Sequence, residues 1–374
     1  MKFIHVSDLH LGKRLHETSL IEDQYEILKQ ILNIIDDEKP DGIIIAGDVY
    51  DKSVPSAEAV ALFDYFISEL AKKRLQVFII SGNHDSAERI AFGSKIMDAV
   101  GMHLSPVYNG EILPITLNDE HGEFKVYMLP FIKPSHVRRF YEDESIESYT
   151  DAVKVAIDKM NIDTNMRNIL ITHQFVTGAK RSESEESVGG TDNVDASVFE
   201  GFDYVALGHL HGAQYCSNEK IRYSGTPLKY SFAEYNDTKS VTVISFGKKG
   251  DAPKIKTVEL KPIRDMKKIR GKFDELVNSV NKTDDYVQIT LTDQEDIPNA
   301  MSRLQTVYKN ALELRYDNAR TRQSSNILGA EGVEKKTAFE LFSEFFVDRN
   351  NAPMSEIQSE YIKALIEKIE GEDI

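Results

Sequence analysis

Five short apolar runs in this chain each end in side chains able to ligate a metal ion. Asp8 and His10 follow residues 3–6, Asp48 follows 43–46, and Asn83 and His84 follow 77–80. His173 follows 169–171, and His209 and His211 follow 204–207. Carboxylate, imidazole and one amide oxygen, with no thiolate, suit Mn²⁺, Fe²⁺ or Zn²⁺, and two ions can share the set when one carboxylate bridges them. Asp48 is the candidate bridge. Gly47, Gly82 and Gly208 stand beside ligand positions, where a tight turn or close backbone approach tolerates no Cβ. One Asp-x-His alone carries little, because short motifs arise by chance. Five such segments in order are different, because an open α/β sheet gathers the carboxyl ends of its strands at one edge.

The elements that must position these residues alternate from the start to about residue 260. Apolar runs of strand length are separated by helical periodicity, with Ile21, Tyr25, Leu28, Leu32 and Ile35 marking one helix and Val60, Phe63, Ile67 and Leu70 another. This is an α/β pattern. Residues 124–129, 241–246 and 255–260 lack long intervening helices and predict a further, antiparallel sheet. Residues 261–272 then hold six basic side chains against one acidic, ahead of a compact strand-and-helix unit to 317. A polar stretch, 318–336, reads as a linker, and the Ser/Glu/Gly-rich 181–190 as a loop. Thr337 with Glu340 and Ser355 with Gln358 form capping boxes ahead of two helices in 337–370.

Composition narrows the function classes. The chain has 374 residues, a formal net charge of −16, 41% hydrophobic residues and one cysteine, Cys216. That length and apolar content support a sizeable core and exclude a disordered chain. One cysteine excludes a disulfide scaffold and a Cys-rich zinc site, and fits a reducing compartment such as the cytoplasm. No apolar run approaches the roughly 20 residues of a membrane span, and residues 1–8 do not read as a leader, so neither membrane insertion nor secretion is expected. The acidic balance disfavours indiscriminate binding to nucleic acid, leaving local basic patches for that task.

The motifs DLH at 8–10, GDVYD at 47–51, GNHD at 82–85, His173 after a strand and GHLH at 208–211 together resemble the calcineurin-like metallophosphoesterase superfamily. SESEESVGGTDNVDASVFEGFDYVALGHLHGAQ at 182–214 and YSGTPLKYSFAE at 223–234 resemble, more narrowly, the SbcD family of bacterial nuclease subunits. The likeness covers essentially the whole chain. Ala213 departs from it, standing where relatives often carry Pro. The resemblance implies a sandwich of two packed sheets flanked by helices at 1–260, a small α+β capping domain at 261–317 and a helical partner-binding segment at 337–370. It implies a first metal held by Asp8, His10, Asp48 and His211, and a second by Asp48, Asn83, His173 and His209, both Mn²⁺. His84 would act as an acid or stabiliser off the metals, with Asp85 orienting its ring. The expected activity is phosphodiester hydrolysis in DNA end processing, recombination and repair, by double-strand exonuclease and single-strand or hairpin endonuclease cutting. The alternative on the same fold is a small-substrate phosphoesterase or cyclic-nucleotide phosphodiesterase.

Several surfaces bear on substrate and partners. Lys13, Arg14, Lys133, Arg138, Arg139, Lys267, Lys268 and Arg270 are candidate contacts to DNA phosphates. Phe339, Phe342, Phe345 and Phe346 crowd one short helix and call for a protein cover. No GxxxxGK[ST] nucleotide loop occurs, so ATP stimulation would have to come with a partner, implied by the resemblance to be an SbcC-type ABC/SMC-like ATPase. The resemblance also implies a homodimer within a heterotetramer, for which Val60, Phe63, Ile67 and Leu70, with Ile96, Met97 and Val100, form a candidate face. The expected location is the cytoplasm, in association with the nucleoid.

Overall fold

A computed structural model describes residues 1–182, 185, 192–279, 282–318, 337–350 and 353–371. All of the expected linker 318–336 except Asn318, and most of the loop 181–190, lie outside the described residues. Two six-stranded sheets face one another. The first runs Lys254–Glu259, Ser240–Ser245, Lys2–Val6, Gly42–Ala46, Gln76–Ile80, Met102–Leu104. The second runs Gln214–Cys216, Asn218–Tyr223, Tyr204–Gly208, Arg167–His173, Gly122–Leu129, Ile115–Asp119.

The sequence dictates this layering through strands that are apolar on both faces, as parallel strands covered on two sides must be. In Gly42–Ala46, Ile44 and Ala46 enter the space between the sheets, meeting Val126, Ile169, Ile171 and Ala206. Ile43 and Ile45 point the other way into a second core, under the helices Ile21–Glu38 and Ala57–Lys72. The second sheet is covered by Tyr149–Asp158 in the same manner. On the first helix Leu28, Leu32 and Ile35 are buried as expected, whereas Tyr25 is exposed and meets Tyr65 at the surface, 5.1 Å between ring centroids.

The expected separate antiparallel sheet is not formed. Gly122–Leu129 pairs parallel with Arg167–His173, while Ser240–Ser245 and Lys254–Glu259 form an antiparallel edge on the first sheet. Their patterns mark them as strands, but only packing shows which sheet each one joins and in which direction it pairs.

Met266–Gly271, Tyr286–Leu291 and Ala311–Tyr316 make a three-stranded parallel sheet with the helices Phe273–Val277 and Ala300–Gln305. Phe273, Val287, Ile289, Leu304 and Tyr308 form its own core. The basic stretch thus contains the first strand of this unit, and much of its charge is matched. Lys267 Nζ lies 2.6 Å from Asp285, and Arg270 pairs with Asp317. Lys268 stands over the Tyr235 ring, 4.5 Å from its centroid. Arg264 joins the two units: its Nη2 is 2.8 Å from Asp23 Oδ2, and the Tyr286 hydroxyl donates to the same oxygen at 2.8 Å.

Both capping boxes form, with Thr337 N–H donating to Glu340 at 2.7 Å and Ser355 N–H to Gln358 at 2.9 Å. They open the helices Ala338–Asn350 and Glu356–Gly371, the second of which approaches Pro134–Arg138. Phe345 is 56% exposed and Tyr361 67%. The expected dimer face is also revised. Phe63 and Leu70 are buried in the core, while Val60, Ile96 and Val100 are exposed, as is Phe92 at 84%. Among the described residues, no helix is long and apolar enough to cross a membrane.

Asp23 is only 2% exposed, so removing its guanidinium partner strands a buried carboxylate. Arg264→Ala is expected to lower the unfolding free energy by about 2 kcal/mol, the scale of a charge-assisted hydrogen-bonded pair. Removing the exposed Lys256, which pairs with Glu38 on the surface, should leave it nearly unchanged. Urea unfolding of the two variants measures the difference.

Candidate metal centre

The five ligand segments leave the carboxyl ends of the successive parallel strands Lys2–Val6, Gly42–Ala46 and Gln76–Ile80 in the first sheet, and of Arg167–His173 and Tyr204–Gly208 in the second. The loops turn so sharply that Asp8, His10, Asp48 and His209 adopt positive φ values of 53°, 43°, 49° and 103°. L-residues rarely do this, and each instance costs on the order of 1–3 kcal/mol unless the surroundings enforce it. Two glycines give the loops room. A Cβ on Gly47, whose φ is +86°, would sit 2.4 Å from His173 Nδ1, and one on Gly82 would sit 2.2 Å from Asp48 Oδ1.

The side chains converge. Asp48 Oδ2 is 3.3 Å from His173 Nε2 and 3.7 Å from His10 Nε2, and Asp48 Oδ1 accepts the His84 N–H at 2.8 Å. Asn83 Oδ1 lies 3.1 Å from His173 Nε2 and 3.0 Å from His209 Nδ1. Asp8 is 3.9 Å from His173 Nε2 and accepts the His209 N–H at 3.0 Å. The His211 and His10 rings are 5.2 Å apart. All seven expected ligands are therefore brought together, with Asp48 between the two groups.

Each ring is aimed by what its far side touches. His173 Nδ1 donates to the Ala46 carbonyl at 2.8 Å, which turns Nε2 inward. His211 Nδ1 donates to Glu234 Oε1 at 3.0 Å with the same effect. His10 is buried, and among the described residues neither ring nitrogen has a hydrogen-bond partner. An unpaired buried donor or acceptor is costly, and a cation would remove that cost. Atoms of His10, Asp48 and His84, and separately of Asp8, Asp48 and His173, lie within 4.8 Å of one another. The donor set fits divalent metal ions.

Electrostatics point the same way. Burial, with Asp48 beside it, pushes Asp8 up to about 6 despite His173. Asp48 is held well below the carboxylate range, because His173 and His10 outweigh its burial. His173 is driven up to about 9 by Asp48 and Asp8 against its own burial, whereas burial and His173 together hold His209 down to about 3.

The expected role of Asp85 is corrected. Its carboxylate accepts the N–H groups of Val49, Tyr50 and Gly82 at 3.0, 2.9 and 2.9 Å, so it ties the second and third ligand loops together. The His84 ring instead donates from Nδ1 to the Asp51 carbonyl at 3.0 Å. Sequence reasoning also gave Glu234 no role, since nothing in its spacing links it to His211. Of the candidate phosphate contacts, Lys13 stands at the rim, its Nζ 2.7 Å from Asp51. Arg14 is exposed and donates to the Glu17 carbonyl. Lys133, Arg138 and Arg139 flank the short helix Pro134–Arg138, whereas Lys267, Lys268 and Arg270 lie on the smaller unit.

Imidazoles and carboxylates gathered where two facing sheets end define a metal-dependent phosphoesterase site. The chain belongs to the calcineurin-like phosphoesterase family, whose model matches residues 1–213. A second family model, the type 5 capsule protein repressor C-terminal domain, matches residues 262–350. The SbcD subunit of the SbcCD nuclease of Staphylococcus epidermidis is 34% identical over 374 residues, 98% of each chain. Among solved structures, TT1561 of Thermus thermophilus is similar at 11% identity and a TM-score of 0.39, covering 70% of this chain and 99% of its own. A dimetal phosphatase from Danio rerio is similar at 12% identity and a TM-score of 0.38, covering 69% and 95%.

If Asp85 locks loops, Asp85→Ala leaves three donors without their acceptor. The expected loss is about 3 kcal/mol of stability, at roughly 1 kcal/mol or more per stranded group, seen as a lower denaturation midpoint in metal-free protein. A variant that is slow but fully stable would restore the ring-orienting role.

Proposed function

We propose that this chain is a metal-dependent DNA nuclease, the hydrolytic subunit of a complex with an SbcC-type ABC ATPase. What carries the reading is its likeness, along nearly the whole length of both chains, to the SbcD subunit of an SbcCD nuclease. The intact ligand set favours hydrolysis over a non-catalytic scaffold. A small-substrate phosphoesterase would use the same site, but would have no use for the parallel-sheet unit and exposed aromatic helices that follow residue 260.

In this reading residues 1–260 form the nuclease domain, 261–317 the cap, 318–336 a linker and 337–370 the partner-binding segment. Asp8, His10, Asp48 and His211 hold one Mn²⁺, and Asp48, Asn83, His173 and His209 the other. When bound, the pair supplies Lewis acidity and a water-derived nucleophile at neutral pH. Protonated at both ring nitrogens, His84 would keep Nδ1–H on the Asp51 carbonyl and hand the Nε2 proton to the departing 3′ oxygen, becoming a neutral imidazole. Asp85 keeps the His84 loop against the Asp48 loop. Lys13, Arg14, Lys133, Arg138 and Arg139 are the favoured phosphate contacts. Lys267, Lys268 and Arg270 are further candidates on the cap; Lys267 and Arg270, like Lys13, also face carboxylates, and Lys268 sits against Tyr235. The nuclease acts in the cytoplasm, at the nucleoid.

Purified chain with Mn²⁺ is expected to cut duplex and single-stranded DNA. Asp48→Ala should abolish cutting and reduce bound metal, whereas His84→Gln should keep both ions and lose about 10²- to 10⁴-fold in rate. Hydrolysis of a chromogenic monoester with no action on DNA would overturn the nuclease reading, and metal loss in His84→Gln would make His84 a ligand.

Phe342, Phe345 and Tyr361 are exposed, and aromatic anchors of this kind carry about 2 kcal/mol or more of interface energy. Phe342→Glu is therefore expected to abolish capture of the ATPase coiled-coil base while leaving basal cutting unchanged, as a pull-down would register. Homodimerisation is assigned to Phe92, Ile96 and Val100. Light scattering of Ile96→Glu should report a monomer where the unaltered chain is a dimer; identical masses would move the interface elsewhere.

A further inference from the structure

Glu234 ends the 3-10 turn Phe232–Glu234 and is 1% exposed. One of its oxygens accepts His211 Nδ1–H, and the other lies 2.7 Å from Lys239 Nζ. Lys239, itself buried, donates to the His211 carbonyl at 3.0 Å, and Thr226 N–H donates to that same carbonyl at 3.1 Å. The pair thus grips both the ring and the main chain of one candidate ligand.

Burying an ion pair this deeply gains little stability over apolar residues of the same volume. What apolar residues could not do is define the tautomer of an imidazole. With Nδ1–H committed to a carboxylate, His211 presents the Nε2 lone pair towards His10 and the centre. His173 is aimed differently, by the Ala46 carbonyl, a dipole and not a charge. The carboxylate therefore acts on one group of ligands only.

We infer that Glu234, held in place by Lys239, is a positioning residue that orients His211 for one of the two metal ions. The inference rests on the metal reading above and goes beyond it by naming the side chains that make the two ion sites unequal.

The test is Mn²⁺ titration of the full-length chain by calorimetry, with free Mn²⁺ counted by electron paramagnetic resonance, alongside thermal melting in chelator. Unaltered protein, Glu234→Gln and Glu234→Gln/Lys239→Met are compared. The expected result is that one Mn²⁺ weakens by about 10- to 100-fold in both variants while the other keeps its affinity. The double variant, which carries neither buried charge, should melt near the unaltered protein without metal. Unchanged affinities at both sites overturn the inference, as does equal weakening of both ions or a failure of both variants to fold in chelator, each of which makes Glu234 a support of the fold alone. An unaltered chain that binds no Mn²⁺ overturns the metal reading itself, and the inference with it.

Discussion

Three carboxylates, Asp8, Asp48 and Asp85, are buried together where the two sheets meet, and the surrounding architecture keeps like charges close while Asn83 and His84 beside them face solvent. Unit charges about 4 Å apart repel by about 4 kcal/mol at an effective dielectric near 20. Each carboxylate is relieved by a different device. Asp85 takes three main-chain N–H groups, Asp48 takes two imidazoles and one N–H, and Asp8 takes the His209 N–H beside His173. The arrangement concentrates negative charge around orphaned imidazole nitrogens, which is the electrostatic form of a cation site.

Holding that arrangement requires rigidity behind it. Four of the expected ligands sit at positive φ, and nothing local would keep them there. The restraint comes from strands such as Gly42–Ala46, buried along their full length, which anchor the loops to close-packed isoleucines on both sides. The strain is thus supported by the same apolar residues that stack the sheets. Metal chemistry and the hydrophobic core are one construction here.

Beyond residue 260 the logic changes from burial to matching. The smaller unit has its own core yet spends Arg264 on Asp23 of the first helix and sets Lys268 against Tyr235, immediately after the turn that carries Glu234. The smaller unit is therefore fastened next to the side chain that contacts His211.

The sequence by itself determined the ligand types, their order and their attachment to strand ends, because period-two and period-3.6 patterns and metal-ligand chemistry are local properties. It also determined the two tail helices, whose capping boxes involve residues three apart. Tertiary structure alone decided which sheet received Ser240–Ser245 and Gly122–Leu129, since a short apolar strand looks the same in sequence whichever sheet it joins. It decided that Asp85 ties loops and Asp51 aims His84, because a carboxylate next to a histidine in sequence need not face it in space. It decided that part of the basic stretch is neutralised within its own unit and that Phe63 and Leu70 are core. Glu234 is the plainest case: its contact with His211 spans 23 positions, across a chain that passes the His211 carbonyl at Gly225, where φ is +74° and a Cβ would stand 2.7 Å from that oxygen.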